Sequence, residues 1–431
     1  MEQFVIEGGH RLNGTLQASG NKNAALKLIA ACLLTDEVVT LRNVPDIADV
    51  RVMCDLVRSL GADIMWQSAG ILRLHAKSVV THRPDPQLVQ KIRASIVLAG
   101  PMLARCGRLE LAAPGGDVIG RRRLDTHILA LQQLGAEVEF TDRFLMKADK
   151  LTGAKILLDE ASVTATENVL MAAVLAKGTT IIRNAASEPH VQDMCNFLNI
   201  LGAQISGVGS NMLTIQGVER LHGGDFRVGA DFMEVGSFIG AAVVTGGSVR
   251  ITNADPQHLD MMQLVLRRLG VSWDVEGEDV IVSSAQSLTI IPDLGNRIPV
   301  IKAQPWPAFP SDMMSIALLI ATQARGAVLF HEWMYDARFF FTDKLVGMGA
   351  RIVLCDPHRA LVYGPTKLHG NLTITSPDIR AGMTLLLAAL CADGVTTIRN
   401  IGQIDRGYEH VEEKLRALGA QIERVPIHER V

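Results

Sequence analysis

A six-fold internal repeat constrains this chain more than any other feature. The phrase reads RSLGADI at 58–64, QQLGAEV at 132–138, NILGAQI at 199–205, RRLGVSW at 267–273, VGMGARI at 346–352 and RALGAQI at 416–422, spaced about 70 residues apart. A second phrase precedes most copies: VVTLRN at 38–43, TTIIRN at 179–184, GSVRITN at 247–253, AVLFHE at 327–332 and TTIRN at 396–400, with a looser copy, GRLELAA, at 107–113. The first phrase predicts a helix that stops at glycine and a strand that follows. Glycine tolerates the left-handed backbone that ends a helix. The second phrase alternates and is rich in β-branched residues, so it predicts a strand. Apolar helices lie ahead of it, as at 168–176 and 383–392. Each unit therefore reads helix–strand–helix–strand plus a further strand. Two domains of three units each is the economical way to bury six such units.

Length and composition agree with that division. The chain has 431 residues, enough for two domains of roughly 200 residues. Aromatics are only 4%, which favours aliphatic cores and argues against a stacking platform for single-stranded nucleic acid. The formal net charge of −3 supplies no global field toward nucleic acid or an anionic membrane. An anion site must then be built from local Lys and Arg. The six cysteines are scattered with no CxxC pair, which fits buried reduced thiols rather than a disulfide framework or a zinc site. No leader or membrane-spanning stretch is evident near MEQFVIEGGH, so a cytoplasmic protein is expected.

Particular motifs narrow the reading: SGNKNAALKLIAA at 19–31, KIRASIVLAGPMLAR at 91–105, PGGDVIGRRRLDTHI at 114–128, ATENVLMAAVLAKGTTIIRNAASEP at 165–189, FPSDM at 309–313 and IDRGYEHVEEKLRALGAQIERV at 404–425. With the repeat, they resemble the enolpyruvyl transferase superfamily, and within it the branch that accepts UDP-N-acetylglucosamine. The resemblance runs essentially end to end. It implies an α/β (α+β) fold of two inside-out α/β barrels, three units per domain. It implies a first domain of residues 1–20 plus 231–431 and a second of 21–230 that carries a lid around Asp117. The implied reaction transfers the enolpyruvyl group of phosphoenolpyruvate to the sugar 3-hydroxyl and releases phosphate, the first committed step of peptidoglycan synthesis. No cofactor and no metal is implied, and no triplet of His or carboxylates has ligand spacing.

Such chemistry needs a cationic cradle for phosphate and carboxylate, an acid, a base and exclusion of water. Lys22, placed in a turn ahead of the first helix, is a reasonable anion contact. The resemblance makes Lys22, Arg122 and Arg406 the anion-binding set, with Arg380 alongside and Arg93 toward the acceptor's phosphates. Arginine suits this work because its planar fork binds carboxylate and phosphate bidentately. Asp312 resembles the base that takes the sugar hydroxyl's proton; a helix N-cap is the plainer role, which Ser311 can fill instead. Asn23, Ser162, Val163, Tyr335, Arg338 and Glu188 resemble positions that line the acceptor site. Asp125 with His127, and Asp378 with Arg380, look like supporting pairs.

Several positions depart from the family pattern. Asp117 stands where many members carry Cys. As the acid that protonates the methylene carbon, a side chain with an ordinary pKa of about 3.9 has to be raised to about 7, at a cost of roughly 4 kcal/mol. Bound phosphate and carboxylate favour that shift, so Asp117 is expected to be a competent acid only with phosphoenolpyruvate bound; its alternative role is in product release. Fosfomycin alkylates the thiol of the Cys enzymes, and resistance is expected here. Val97 stands where some members have Trp, Thr164 replaces a Gly beside Ser162 and Val163, and Asp336 and Ala337 alter the stretch before Arg338. These changes keep two alternatives open: a transferase acting on a related nucleotide sugar, and a silent paralogue that binds nucleotide sugars.

Overall fold

The computed structural model describes residues 2–116 and 123–427. The chain divides into two compact units, one holding the residues up to Ser19 and those from Ala230 onward, the other running from Gly20 to Gly229. The repeat is visible in every part of both. The glycine of all six LGA-type phrases has a positive φ: Gly61, Gly135, Gly202, Gly270, Gly349 and Gly419 lie between 81° and 110°. A side chain with a Cβ would be strained there by roughly 1–2 kcal/mol. Each glycine ends a helix such as Ala48–Ser59, Pro189–Ile200 or Val411–Ala417, and each is followed by a strand such as Asp63–Ser68, Gln204–Ser206 or Gln421–Pro426.

Among the described residues, six small sheets follow one plan. In the first, Val38–Arg42 pairs parallel with Gly224–Arg227 on one side and antiparallel with Ile71–His75 on the other, and Asp63–Ser68 forms the far edge. The strands of the second phrase, Thr179–Arg183, Ser248–Thr252, Gly326–His331 and Val395–Arg399, occupy the same inner position in four further sheets. The sixth, built on Arg108–Ala112, has the same order and, among the described residues, no parallel strand. The asparagines that close the second phrase, Asn43, Asn184, Asn253 and Asn400, all adopt positive φ just after their strands. Asn43, Asn184 and Asn400 donate side-chain hydrogen bonds to carbonyls of neighbouring segments at 2.8–3.0 Å.

The helices sort into two kinds. Phe232–Thr245, Met314–Gln323 and Ile379–Cys391 are buried along nearly their whole length in one unit, as are Lys22–Ala31 and Val163–Ala173 in the other. Helices such as Asp260–Arg267 bury one face only. The apolar helices therefore form the interior and the sheets cover them, which is the inside-out arrangement. Their starts are fixed by side chains: Asn21 accepts from the Ala24 N–H, Asp231 from Met233 and Glu234, and Asp378 from Arg380 and Ala381. Each such cap stabilises its helix by about 1 kcal/mol.

Two local expectations are corrected. Lys22 and Asn23 are not in a turn ahead of the first helix but form its first turn, because Asn21 takes the cap. All six cysteines are free, but Cys106 and Cys355 are exposed rather than buried.

Candidate active site

In the unit that includes both chain ends, the site grows from the helix Ile379–Cys391. Asp378 caps that helix through the backbone N–H groups of Arg380 and Ala381. The Arg380 side chain turns elsewhere: its Nε donates to Asp312 Oδ2 at 3.0 Å and its Nη1 to the Tyr408 hydroxyl at 3.1 Å. The expected Asp378–Arg380 pairing is thus a helix cap, and the guanidinium is left to serve Asp312. The Tyr408 hydroxyl lies 2.9 Å from Ser237 Oγ, which itself donates to the Met233 carbonyl at 2.8 Å. Ser237 has one hydroxyl proton, so Tyr408 donates to Ser237 and accepts from Arg380. Burial opposes the charge on Arg380, but Tyr408, Asp312 and Asp231 outweigh it and its pKa rises.

Asp312 Oδ1 accepts from Arg338 Nη2 at 2.6 Å, so its two oxygens are gripped by two different buried guanidiniums. The Asp312 side chain keeps 30% of its surface exposed, whereas Arg338 and Arg380 keep 5% and 8%. Asp312 sits in the 3₁₀ turn Ser311–Met313 ahead of the helix Met314–Gln323, and no side chain caps that turn. The cap role considered for Asp312 and Ser311 therefore falls to neither. Arg338 also lies over the Tyr335 ring, 5.1 Å from its centroid. Arg406 donates to Gln403 at 2.8 Å at the end of the short helix Gly402–Asp405. The next residues of the same DRGYE motif supply Tyr408 and Glu409. Glu409 accepts from the Ser19 hydroxyl at 2.8 Å, and Lys414 joins Ser19 Oγ and Glu234 at 2.6 Å each. The serine that opens SGNKNAA is thereby tied to the DRGYE segment.

In the unit from Gly20 to Gly229, Lys22 pairs with Asp49 at 2.8 Å, both nearly buried, and Asn23 is half-buried beside it. Arg93 donates to the Pro114 carbonyl at 3.4 Å. The adjoining PGG motif has a packing reason: a Cβ on Gly115 would meet the Gln90 carbonyl at 1.7 Å, and one on Gly116 would meet the Arg93 N–H at 2.8 Å. Asp117 and Arg122 lie outside the described residues.

Ser162 caps the helix Val163–Ala173 through the Ala165 N–H. Thr164, the departure beside it, has a partner: its hydroxyl lies 3.0 Å from His127 Nε2. The opposite ring nitrogen, Nδ1, lies 2.8 Å from Asn168 Nδ2. Asn168 Oδ1 accepts from the Gly100 N–H, which fixes its amide and makes Nδ2 the donor to His127. His127 Nδ1 is then an acceptor, and the proton sits on Nε2, directed at Thr164. Burial, with the charge of Arg93 behind it, lowers the His127 pKa from 6.5 to about 3. Asp125, expected beside His127, accepts from Arg123 at 3.2 Å, and Asp159 accepts from Thr126 at 2.6 Å. The start of the helix Asp125–Gln133 is thus bonded to the 159–164 segment.

Beneath Lys22, Lys27 and Glu167 form a buried pair at 3.5 Å, their side chains 5% and 0% exposed. Burial raises Glu167 to about 7 against the pull of Lys27, and burial lowers Lys27. Lys22 and Glu188 both act on this pair electrostatically, which places Glu188 in the same charged group. Sequence reasoning missed Lys27, Glu167, Tyr408 and Ser237. All but Ser237 lay inside the quoted motifs, and a charge inside an apolar helical run was the available signal for the first two.

Inside-out units of three sheets around buried helices are the architecture of the enolpyruvyl transferases. The family model described as EPSP synthase (3-phosphoshikimate 1-carboxyvinyltransferase) matches residues 6–415. The UDP-N-acetylglucosamine 1-carboxyvinyltransferase of Bradyrhizobium diazoefficiens is 56% identical over 98% of both chains. The protein of the same name from Treponema denticola is 53% identical over 98% of this chain and 99% of its own. Among solved structures, the enolpyruvyl transferase NikO of Streptomyces tendae superposes with a TM-score of 0.86 at 28% identity over 98% of both chains. An EPSP synthase of Acinetobacter baumannii shares the fold, with a TM-score of 0.76 at 18% identity over 99% of this chain and all of its own. The chain belongs to the EPSP synthase family, on its UDP-N-acetylglucosamine 1-carboxyvinyltransferase branch.

Proposed function

We infer that the protein transfers the enolpyruvyl group of phosphoenolpyruvate to the 3-hydroxyl of UDP-N-acetylglucosamine and releases phosphate, the step that commits the sugar to peptidoglycan. The observation that carries this is identity above half, across 98% of the chain, with an enzyme named for that transfer. Asp312 between Arg338 and Arg380 supports it chemically. In this reading Asp312 takes the hydroxyl proton, and the arginines hold it in one orientation. Lys22, Arg122, Arg406 and Arg380 offset the charge of phosphate and carboxylate, which is worth most where it grows in the transition state. Asn23, Arg93, Ser162, Val163, Tyr335 and Arg338 orient the acceptor, and Asp117 delivers the proton to the methylene carbon. A cytoplasmic site of action fits these substrates. No helix among the described residues is long and apolar enough to cross a membrane.

Phosphate release from phosphoenolpyruvate, measured with and without UDP-N-acetylglucosamine, tests the reading. Release that requires the sugar nucleotide is expected. No release, or release only with another UDP-sugar, would overturn the assignment of the acceptor.

A further inference from the structure

Asp312 is oriented at its carboxylate by two arginines, but the turn that carries it has no cap of its own. What holds the turn is Glu332, which follows the strand Gly326–His331 and is fully buried. Its Oε2 accepts from the Ser311 hydroxyl at 2.6 Å, and Ser311 is the residue immediately before Asp312. Its Oε1 accepts from the Met334 N–H at 2.8 Å. The backbone of Glu332 is equally engaged: its N–H donates to the His358 carbonyl at 2.8 Å, and its carbonyl accepts from His358 Nδ1 at 2.7 Å. All four polar atoms of this residue are thus bonded. Met334 begins the segment that ends at Arg338, and Arg338 returns to Asp312 Oδ1. The bonds close a ring from Glu332 through Ser311 to Asp312, across to Arg338 and back along the chain. Burial works against the Glu332 carboxylate, while Ser311, Met334, Arg338 and Tyr335 favour it.

We propose that Glu332 is a positioning residue for the transfer reaction, clamping the Asp312 turn through Ser311 and the acceptor-side segment through the Met334 N–H. Asp312 has to lie within hydrogen-bond reach of the sugar hydroxyl, and a displacement near 1 Å at such a group costs about 100-fold in rate. Glu332 touches no substrate and acts through its two neighbours. The proposal rests on the reading of Asp312 as the base.

The test compares Ser311→Ala, Ser311→Thr, Glu332→Gln and Asp312→Ala in the full chain, by steady-state kinetics in both substrates and by thermal melting. Ser311→Ala should lower kcat about 10- to 100-fold with KM for phosphoenolpyruvate unchanged. Ser311→Thr keeps the hydroxyl and should recover most of the rate. Glu332→Gln leaves one acceptor oxygen where the two donors need two, so the clamp opens on one side; kcat should fall about as far as in Ser311→Ala, and any rise in KM for the sugar nucleotide would report the Met334 side. The double variant Ser311→Ala/Glu332→Gln should match Glu332→Gln in kcat, because both changes open one clamp. If Glu332→Gln does not fold, the Ser311 pair decides the matter. A Ser311→Ala enzyme within twofold of wild type, beside an inactive Asp312→Ala, would overturn the clamp alone. An active Asp312→Ala would overturn the base reading and the clamp with it.

Discussion

His127 should make the protein acid-sensitive in a way that one substitution removes. Its folded pKa is about 3, against 6.5 for an ordinary histidine. The unfolded chain therefore binds a proton between those values that the folded ring refuses. Stability from the neutral ring is fully present above 6.5 and is lost as pH falls toward 3. The linkage integral gives about 2 kcal/mol lost between about pH 7.5 and about pH 5, and roughly 5 kcal/mol once pH passes below the folded value. Geometry explains why the ring cannot adapt: Asn168 Nδ2 already donates to Nδ1, and its amide is locked by Gly100 and Ile96. Protonation would set two N–H groups against each other. The assay is urea unfolding of wild type and His127→Gln at both pH values. The variant should be less stable at the higher pH through its lost hydrogen bonds, and the gap should narrow by about 2 kcal/mol at the lower one. Every other titrating group contributes equally to both proteins and drops out of the difference. A gap of the same size at both pH values would refute the tautomer and burial argument.

Two further outcomes are expected. Lys27→Met alone leaves Glu167 buried without its partner and should destabilise the protein by about 3–5 kcal/mol, whereas Lys27→Met/Glu167→Met should come close to wild type; chemical denaturation of the two variants checks this. Because a carboxylate is a poor nucleophile toward an epoxide, activity should survive incubation with fosfomycin and become sensitive in Asp117→Cys; time-dependent loss in the wild type, with an adduct on Asp117 by mass spectrometry, would refute it.

The fold was legible because its signals are local. A glycine at each helix end and alternating strands behind it depend on neighbours in the chain, and all six copies have positive φ where the sequence asks for it. The charged site residues were legible by type, but their partners were not. Asp378 and Arg380 are two residues apart and look like an ion pair; the helix cap uses the backbone of Arg380 and frees its guanidinium for a residue 68 positions away. Ser311 reads as a cap, yet its hydroxyl goes to Glu332, 21 positions on. Thr164 reads as a possible change in acceptor choice, and the structure gives it an internal partner in His127. In each case the deciding contact joins separate elements, and a single sequence carries no distance between them.

The strand Glu2–Glu7 has a consequence for how this protein is made. It lies inside its sheet, paired on one side with Val395–Arg399 and on the other with Gln421–Pro426. In the other five sheets that place is filled by the strand that turns back directly from the edge strand. Here it is filled by a strand made long before either of the two strands it pairs with. The unit that holds the described residues between Gly20 and Gly229 needs no strand made after Gly229 and can complete its core during synthesis. The other must keep Glu2–Glu7 unpaired until Val395–Arg399 and Gln421–Pro426 have been made, leaving an edge that another nascent chain could capture. Chaperone dependence, and loss to aggregation on dilution from denaturant, should therefore concentrate in the unit assembled from both ends of the chain.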